Sequence, residues 1–356
     1  MHISLHRHSL RLRTAFTIAR NSTTVRKTTI VELHDGNGTT GYGEVSDNQY
    51  YTQAHPDEVS RRLAALQAVL AKADPDKPTQ LHAQILGLND WQGEHANPFA
   101  LSALDMAAHD LAARRTGKPL YEYWGYSWAQ HSIPVSNYTL SIDSPEAVLA
   151  QAQANPWPSY KVKLGGQYDL ETIELLRKAL SADTRLCVDA NAGWEFSEAV
   201  DKVARLGKLN VAFIEQPMAR GAYTETARLR ASLSKGHPPL IADEDCQVEA
   251  DVARCAEAYD AINIKLSKCG GPTAALRMVE QARSLGLGVM FGCMIESSFS
   301  IGVLRHFSPV ADFIDLDGAL LVANDPGAGV EFLSSGLPAK PVGIGSGVRW
   351  AQGLPA

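Results

Sequence analysis

Five charged residues at nearly regular intervals could do chemistry together: Lys163, Asp189, Glu215, Asp243 and Lys265, spaced 26, 26, 28 and 22 residues apart. Each closes a short apolar run, at 160–163, 186–189, 213–215, 240–243 and 261–265. Three carboxylates in consecutive units supply hard oxygen ligands with positions left open for water or substrate, which suits magnesium better than zinc. A single such acid would be no more than a cap on the next helix, but three in succession between two lysines form a candidate ligand set. Lys163 and Lys265 would face each other across a barrel mouth, and two bases on opposite faces of one carbon are what a 1,1-proton transfer requires. Lys161 and Lys163 are two apart and point the same way on a strand, so their repulsion and a nearby metal should lower a lysine pKa towards a working base.

The elements that position these charges follow from the spacing. An interval near 25 residues holds one strand, one helix and two short loops. The runs are β-branched and unalternating, as expected of parallel strands buried on both faces. Strands are expected at about 133–140, 159–164, 185–190, 211–216, 239–244, 260–266, 288–294 and 313–318, with helices between them. Asp143-Ser144-Pro145 and Gly271-Pro272-Thr273 are helix openings. Eight such units close a barrel, and charges at the same end of its strands converge on one site. Residues 1–55 read as antiparallel strands with turns at Asp35-Gly36 and Asn37-Gly38, the stretch from Phe16 to Lys27 as a polar loop, and 57–73 and 98–115 as helices. The Gly- and Pro-rich tail carries one strand signal at 330–333. The expected organisation is an α+β cap (1–125), a barrel (126–319) and a tail (320–356) that returns to the cap.

Composition agrees. The 356 residues fit a barrel of about 250 residues plus a smaller unit. A net charge of -6 without charged blocks argues against a nucleic-acid or membrane surface, and is compatible with a small-molecule substrate. Five scattered cysteines (Cys187, Cys246, Cys255, Cys269, Cys293) with no Cys-x-x-Cys pair read as reduced thiols of a cytoplasmic protein. The N-terminus shows no signal-peptide core, and no 18-residue apolar span occurs. A homo-oligomer is compatible with all of this and undecided by it.

Taken together, Tyr160-Lys161-Val162-Lys163, Val188-Asp189-Ala190-Asn191, Ile214-Glu215-Gln216-Pro217, Ala242-Asp243-Glu244 and Asn263-Ile264-Lys265-Leu266 with Gly270-Gly271 resemble the muconate-lactonizing-enzyme subgroup of the enolase superfamily. The resemblance spans the whole chain. It implies a modified (β/α)8 TIM barrel under an α+β capping domain completed by the C-terminal tail. It also implies abstraction of a proton α to a carboxylate by a lysine base, giving an enolate held on magnesium by Asp189, Glu215 and Asp243. The mandelate-racemase type carries a histidine base late in the barrel, and 289–295 has none.

Cycloisomerisation, o-succinylbenzoate synthesis, N-acylamino-acid racemisation and dipeptide epimerisation remain open within the subgroup. The last strand favours epimerisation: Asp315 and Asp317 resemble the Asp-x-Asp pair of the L-Ala-D/L-Glu epimerase type. Two carboxylates on one strand face make a cation site, and a dipeptide's free ammonium is such a cation. The same resemblance implies that Lys161, Ser136, Cys293 and Ile295 line the substrate pocket. It further implies that Arg20, or in its stead Arg26 or Lys27, meets a side-chain carboxylate. A non-catalytic muropeptide-binding protein could keep the metal and the aspartate pair while losing a base; both lysines are present, which favours an isomerase.

Overall fold

The computed structural model of the protein describes residues 1–18 and 21–352. Strands β1 (His2–Ile18), β2 (Asn21–His34) and β3 (Thr40–Ser46) form an antiparallel cap sheet in that order. Pairing of Phe16 with Thr23 and Thr17 with Ser22 makes strand of much of the stretch expected to be loop. Arg20 lies outside the described residues.

β3 packs on the helix Pro98–Arg115, which falls where the sequence places it. Gly41 and Gly43 explain how closely they approach. A Cβ on Gly43 would sit 2.0 Å from the Ala103 carbonyl oxygen, and one on Gly41 2.2 Å from that of Ala107. The helix is buried from Phe99 to Ala113 rather than along one stripe, because it is held between cap and barrel. The helix expected at 57–73 is two shorter ones, Pro56–Ala64 and Gln67–Leu70, broken at Ala65 and Leu66.

The barrel strands are β4 (Tyr138–Leu140), β5 (Ser159–Lys163), β6 (Arg185–Asp189), β7 (Val211–Glu215), β8 (Leu240–Ala242), β9 (Ala261–Ile264), β10 (Gly288–Phe291) and β11 (Phe313–Ile314). They lie parallel in sequence order. The ring closes through a parallel bridge between Ser136 and Ile314, with Asn137 N–H donating to the Ile314 carbonyl at 3.1 Å. An α-helix follows each strand from β4 to β10. After β11 the chain forms the 3₁₀ turn Asp317–Leu321 and, among the described residues, no eighth α-helix before it passes into the tail.

Inside the barrel Cys187, Phe213, Ile241, Ala261 and Met290 make an apolar plug, with Phe313 packed against it. Two residues further along the same strands come Asp189, Glu215, Asp243, Asn263, Gly292 and Asp315. Period-two alternation therefore puts a polar layer directly on the plug, at the C-terminal mouth.

The tail returns to the cap: Val322 bridges Leu12, Asn324 Oδ1 accepts from Arg11 N–H at 2.7 Å, and Trp350 Nε1 donates to Glu32 at 2.7 Å. The strand expected at 330–333 is absent. Gly327–Ala328 pairs with Arg349–Trp350 instead, and Phe332 makes one isolated bridge to Pro338. All five cysteines are free, and among the described residues no helix is long and apolar enough to cross a membrane.

Candidate active site

A cavity of about 490 Å³ opens between the barrel mouth and the cap. Its floor is built from lysine–carboxylate pairs, of which the lysines and Asp243 line the cavity while Asp189 and Glu215 lie fully buried beneath them. Lys163 Nζ lies 2.6 Å from Asp189 Oδ2, Lys161 Nζ 3.1 Å from Glu215 Oε2, and Lys265 Nζ 2.9 Å from Asp243 Oδ2. Register explains the first part: Lys163 pairs with Asp189 across β5 and β6, and Asp189 with Glu215 across β6 and β7. Supporting amides hold the acids in place. Asn263 Nδ2 donates to Glu215 Oε1 at 2.7 Å, and the Gln216 side-chain oxygen accepts from the Asp243 N–H at 3.0 Å. Asn191, Ala192 and Gln216 have φ of 47°, 61° and 34°, so left-handed backbone sits just past the first two acids, where strain at functional sites gathers.

Asp315 and Asp317 also line the cavity, both buried. They are not equivalent. Asp315 is bonded by Lys161 and, at 2.6 Å, by Asn137 Nδ2. Asp317 Oδ2 accepts from Thr139 N–H at 2.7 Å and the Thr139 side chain also bonds the carboxylate, while among the described residues Oδ1 is met by the Cys293 thiol at 3.9 Å. Cys293 and Ile295 line the cavity as expected. Ser136 does not: it is fully buried, its hydroxyl accepts from Leu316 N–H at 2.9 Å, and it serves barrel closure. Arg26 lines the cavity with no ion pair or hydrogen bond from its side chain among the described residues; Lys27 is outside the lining.

The family profile described as enolase C-terminal domain-like matches residues 146–335, and that of the mandelate racemase / muconate lactonizing enzyme N-terminal domain matches 3–125. The chain belongs to this family. It is 38% identical over 352 residues to the L-Ala-D/L-amino acid epimerase of a Maribacter species, covering 99% of this chain and 100% of that one. It is 36% identical to the L-Ala-D/L-Glu epimerase of Bacteroides thetaiotaomicron, covering 94% and 84%. Among solved structures, the dipeptide epimerase of Cytophaga hutchinsonii complexed with Mg and D-Ala-L-Val superposes with a TM-score of 0.89 at 28% identity, covering 99% of this chain and 96% of that one.

Electrostatics at this family member's site are set by the contacts between its lysines and carboxylates. Burial pulls the Lys161 pKa down, but Asp315, Glu215 and Asp189 outweigh it and hold the ammonium well above its usual range. Lys265 is raised in the same way by Asp243 and Glu215 against burial. Between protein groups alone, contact with carboxylates outweighs Lys–Lys repulsion at both lysines. Burial opposes ionisation of Asp189 and Asp243, yet the lysines keep both carboxyls below their usual range, whereas burial and Asp189 leave Glu215 raised.

Two cavity residues escaped the sequence reading of roles. Lys268 Nζ lies 2.7 Å from Asp243 Oδ1, on a four-residue helix three positions past Lys265; the Lys-x-x-Lys spacing was the available signal. Glu244 is pushed up to about 7 by burial and by Asp243, and its Oε2 has no hydrogen-bond partner among the described residues. Among the described residues no three His, Cys, Asp or Glu side chains enclose a metal position; lysine ammonium groups stand on the carboxylate oxygens. The donor chemistry nonetheless fits magnesium: three buried carboxylates at adjoining strand ends, with the oxygens of Asn191 and Glu244, unpartnered among the described residues, beside them.

Proposed function

We propose that this protein epimerises dipeptides with a free amino terminus at the carbon α to the terminal carboxylate, using magnesium held by Asp189, Glu215 and Asp243. The observation that carries the reading is one cavity with lysines from two sides at one end and, at the other, a buried carboxylate, Asp317, with no cation paired to it among the described residues. The relatives, epimerases acting on dipeptides, support it.

Lys163 on β5 and Lys265 just past β9 remove and return the α-proton from opposite faces. When bound, the cation supplies positive charge to the substrate carboxylate, where negative charge builds as the proton leaves. Asn263 and Lys161 keep Glu215 oriented, and Gln216 fixes the backbone of Asp243. Asp317 takes the substrate ammonium, and Arg26 is placed for a side-chain carboxylate. The same reading divides the chain into cap (1–125), barrel (126–319) and tail (320–356).

Incubation with a dipeptide library in deuterium oxide, with magnesium and then with chelator, tests this by mass. Deuterium should enter one α-position only with the metal present. No incorporation into any dipeptide, or incorporation that survives complete metal removal, would overturn the proposal.

A further inference from the structure

A chain of hydrogen bonds outside the cavity joins the cap to the segment that carries Lys265. It begins at Trp124, whose Nε1 donates to His109 Nδ1 at 3.1 Å. His109 Nε2 lies 2.9 Å from Thr273 Oγ1, which donates to Asp105 Oδ1 at 2.8 Å, while Thr273 N–H donates to Asp105 Oδ2 at 2.7 Å. The indole N–H of Trp124 can only donate, which fixes the tautomer of the His109 ring. Burial pushes His109 down to about 3, so the ring is neutral; with Nδ1 accepting, Nε2 carries the proton and gives it to Thr273. Asp105 and His109 belong to the cap helix Pro98–Arg115, and Thr273 to the first turn of the barrel helix Pro272–Ser284.

Between Lys265 and Thr273 the chain has almost no slack. Lys265 caps the short helix Leu266–Cys269, its carbonyl accepting from Lys268 and Cys269 N–H at 3.0 and 3.1 Å. Gly270 and Gly271 follow at φ of 95° and 106°, and the second is pressed on Asp105: a Cβ there would lie 2.7 Å from Asp105 Cβ and Oδ2. Lys163 has no such dependence. It is the last residue of β5, held by ladder bonds to β6.

We infer that Asp105, Thr273 and His109 form a positioning device that sets Lys265 from across the cap interface, leaving Lys163 to the sheet. This rests on the two-lysine reading above. A shift on the order of 1 Å from a change remote from the chemistry costs roughly 100-fold, so loosening the device should weaken one base and spare the other. Net epimerisation falls in both directions, since both lysines take part in each. Exchange of the α-proton with solvent separates them, because a lysine that removes a proton can return a solvent-derived one to the same face.

The test compares Thr273→Val, which keeps size and N–H but loses the hydroxyl, with Thr273→Ser, which keeps both polar groups. In deuterium oxide, Thr273→Val should lose roughly 10- to 100-fold in exchange for one stereoisomer and less than about 2-fold for the other. Thr273→Ser should behave as wild type. Amide hydrogen exchange, which needs no turnover, should show faster exchange at 265–272 in Thr273→Val and none at 159–163. Equal losses for both stereoisomers, or unchanged protection at 265–272, overturn the inference. If Thr273→Val does not fold, Asp105→Asn, with one acceptor kept, is read by the same two measurements. Wild-type protein that exchanges no dipeptide would instead overturn the functional proposal, and the amide measurement would still decide the structural one.

Discussion

Replacing Asp317 with asparagine removes one charge without changing shape, at the place where the substrate's amino terminus is expected. Asp317 is 3% exposed; among the described residues its carboxylate is held by the backbone and side chain of Thr139 and by a thiol at 3.9 Å, with no cation paired to it. Asp315 cannot substitute for it, being bonded already by Lys161 and Asn137. A hydrogen bond to a charged group contributes about 1.5–3 kcal/mol net, which at about 1.4 kcal/mol per tenfold is roughly 10- to 100-fold in kcat/KM. N-acetylation of the substrate removes the other half of the same pair and, in the wild type, leaves a buried carboxylate unpaired, a penalty of roughly 3–5 kcal/mol. The two losses should overlap. For Ala-Ala against N-acetyl-Ala-Ala, the wild-type preference for the free peptide should shrink at least about tenfold in Asp317→Asn, measured as kcat/KM from α-deuterium incorporation. An unchanged ratio refutes the assignment. N-acetylated substrates turning over as fast as free ones in the wild type would make an acylamino-acid racemase the better reading.

Lys163→Ala and Lys265→Ala should each abolish net epimerisation while leaving α-proton exchange in opposite stereoisomers; ordinary epimerisation by either variant would end the two-base assignment. Arg26→Ala should lower kcat/KM for Ala-Glu and leave Ala-Gln within about 2-fold, checked by direct competition of the two peptides. Glu296 is a buried acid pushed from 4.5 up to about 7 by burial and by Glu44. A raised carboxyl binds its proton more tightly in the folded state, so its contribution is complete below about pH 4.5 and is lost as pH rises through 7. Glu296→Gln should therefore gain on wild type between pH 5 and 8, by at most roughly 3 kcal/mol in denaturant titrations; a constant difference refutes it. Gly43→Ala forces a methyl group to 2.0 Å from Ala103 O and should cost about 1–3 kcal/mol or more in the same assay.

The barrel was legible because parallel strands buried on both faces leave contiguous apolar runs, and each observed strand from β5 to β10 lies within its expected run. The acids and lysines were legible for the same reason: each sits at a run's end. What the lysines touch was not, since partners come from strands some 22 to 154 residues away, and the raised pKa of Lys161 depends on those partners. Ser136 looked like a pocket residue by position; only the bridge from Ser136 to Ile314 that closes the ring shows its hydroxyl turned to Leu316. The absent eighth helix and the strand misplaced at 330–333 share a cause. Gly and Pro punctuate the tail so densely that its pairing is set by the surfaces it crosses, not by its own pattern.

Closing the barrel joins residues 177 to 180 positions apart, and Asp317 reaches Thr139 N–H across the same seam. During synthesis β4 therefore waits with an unsatisfied edge until nearly the whole barrel has been made, a long interval in which it could pair wrongly. The carboxylate proposed to recognise the substrate is delivered by the same event that completes the ring. A chain arrested before β11 would have both lysines and the three acids of the floor but no seat for an amino terminus, so selectivity and structural completion arrive in one step.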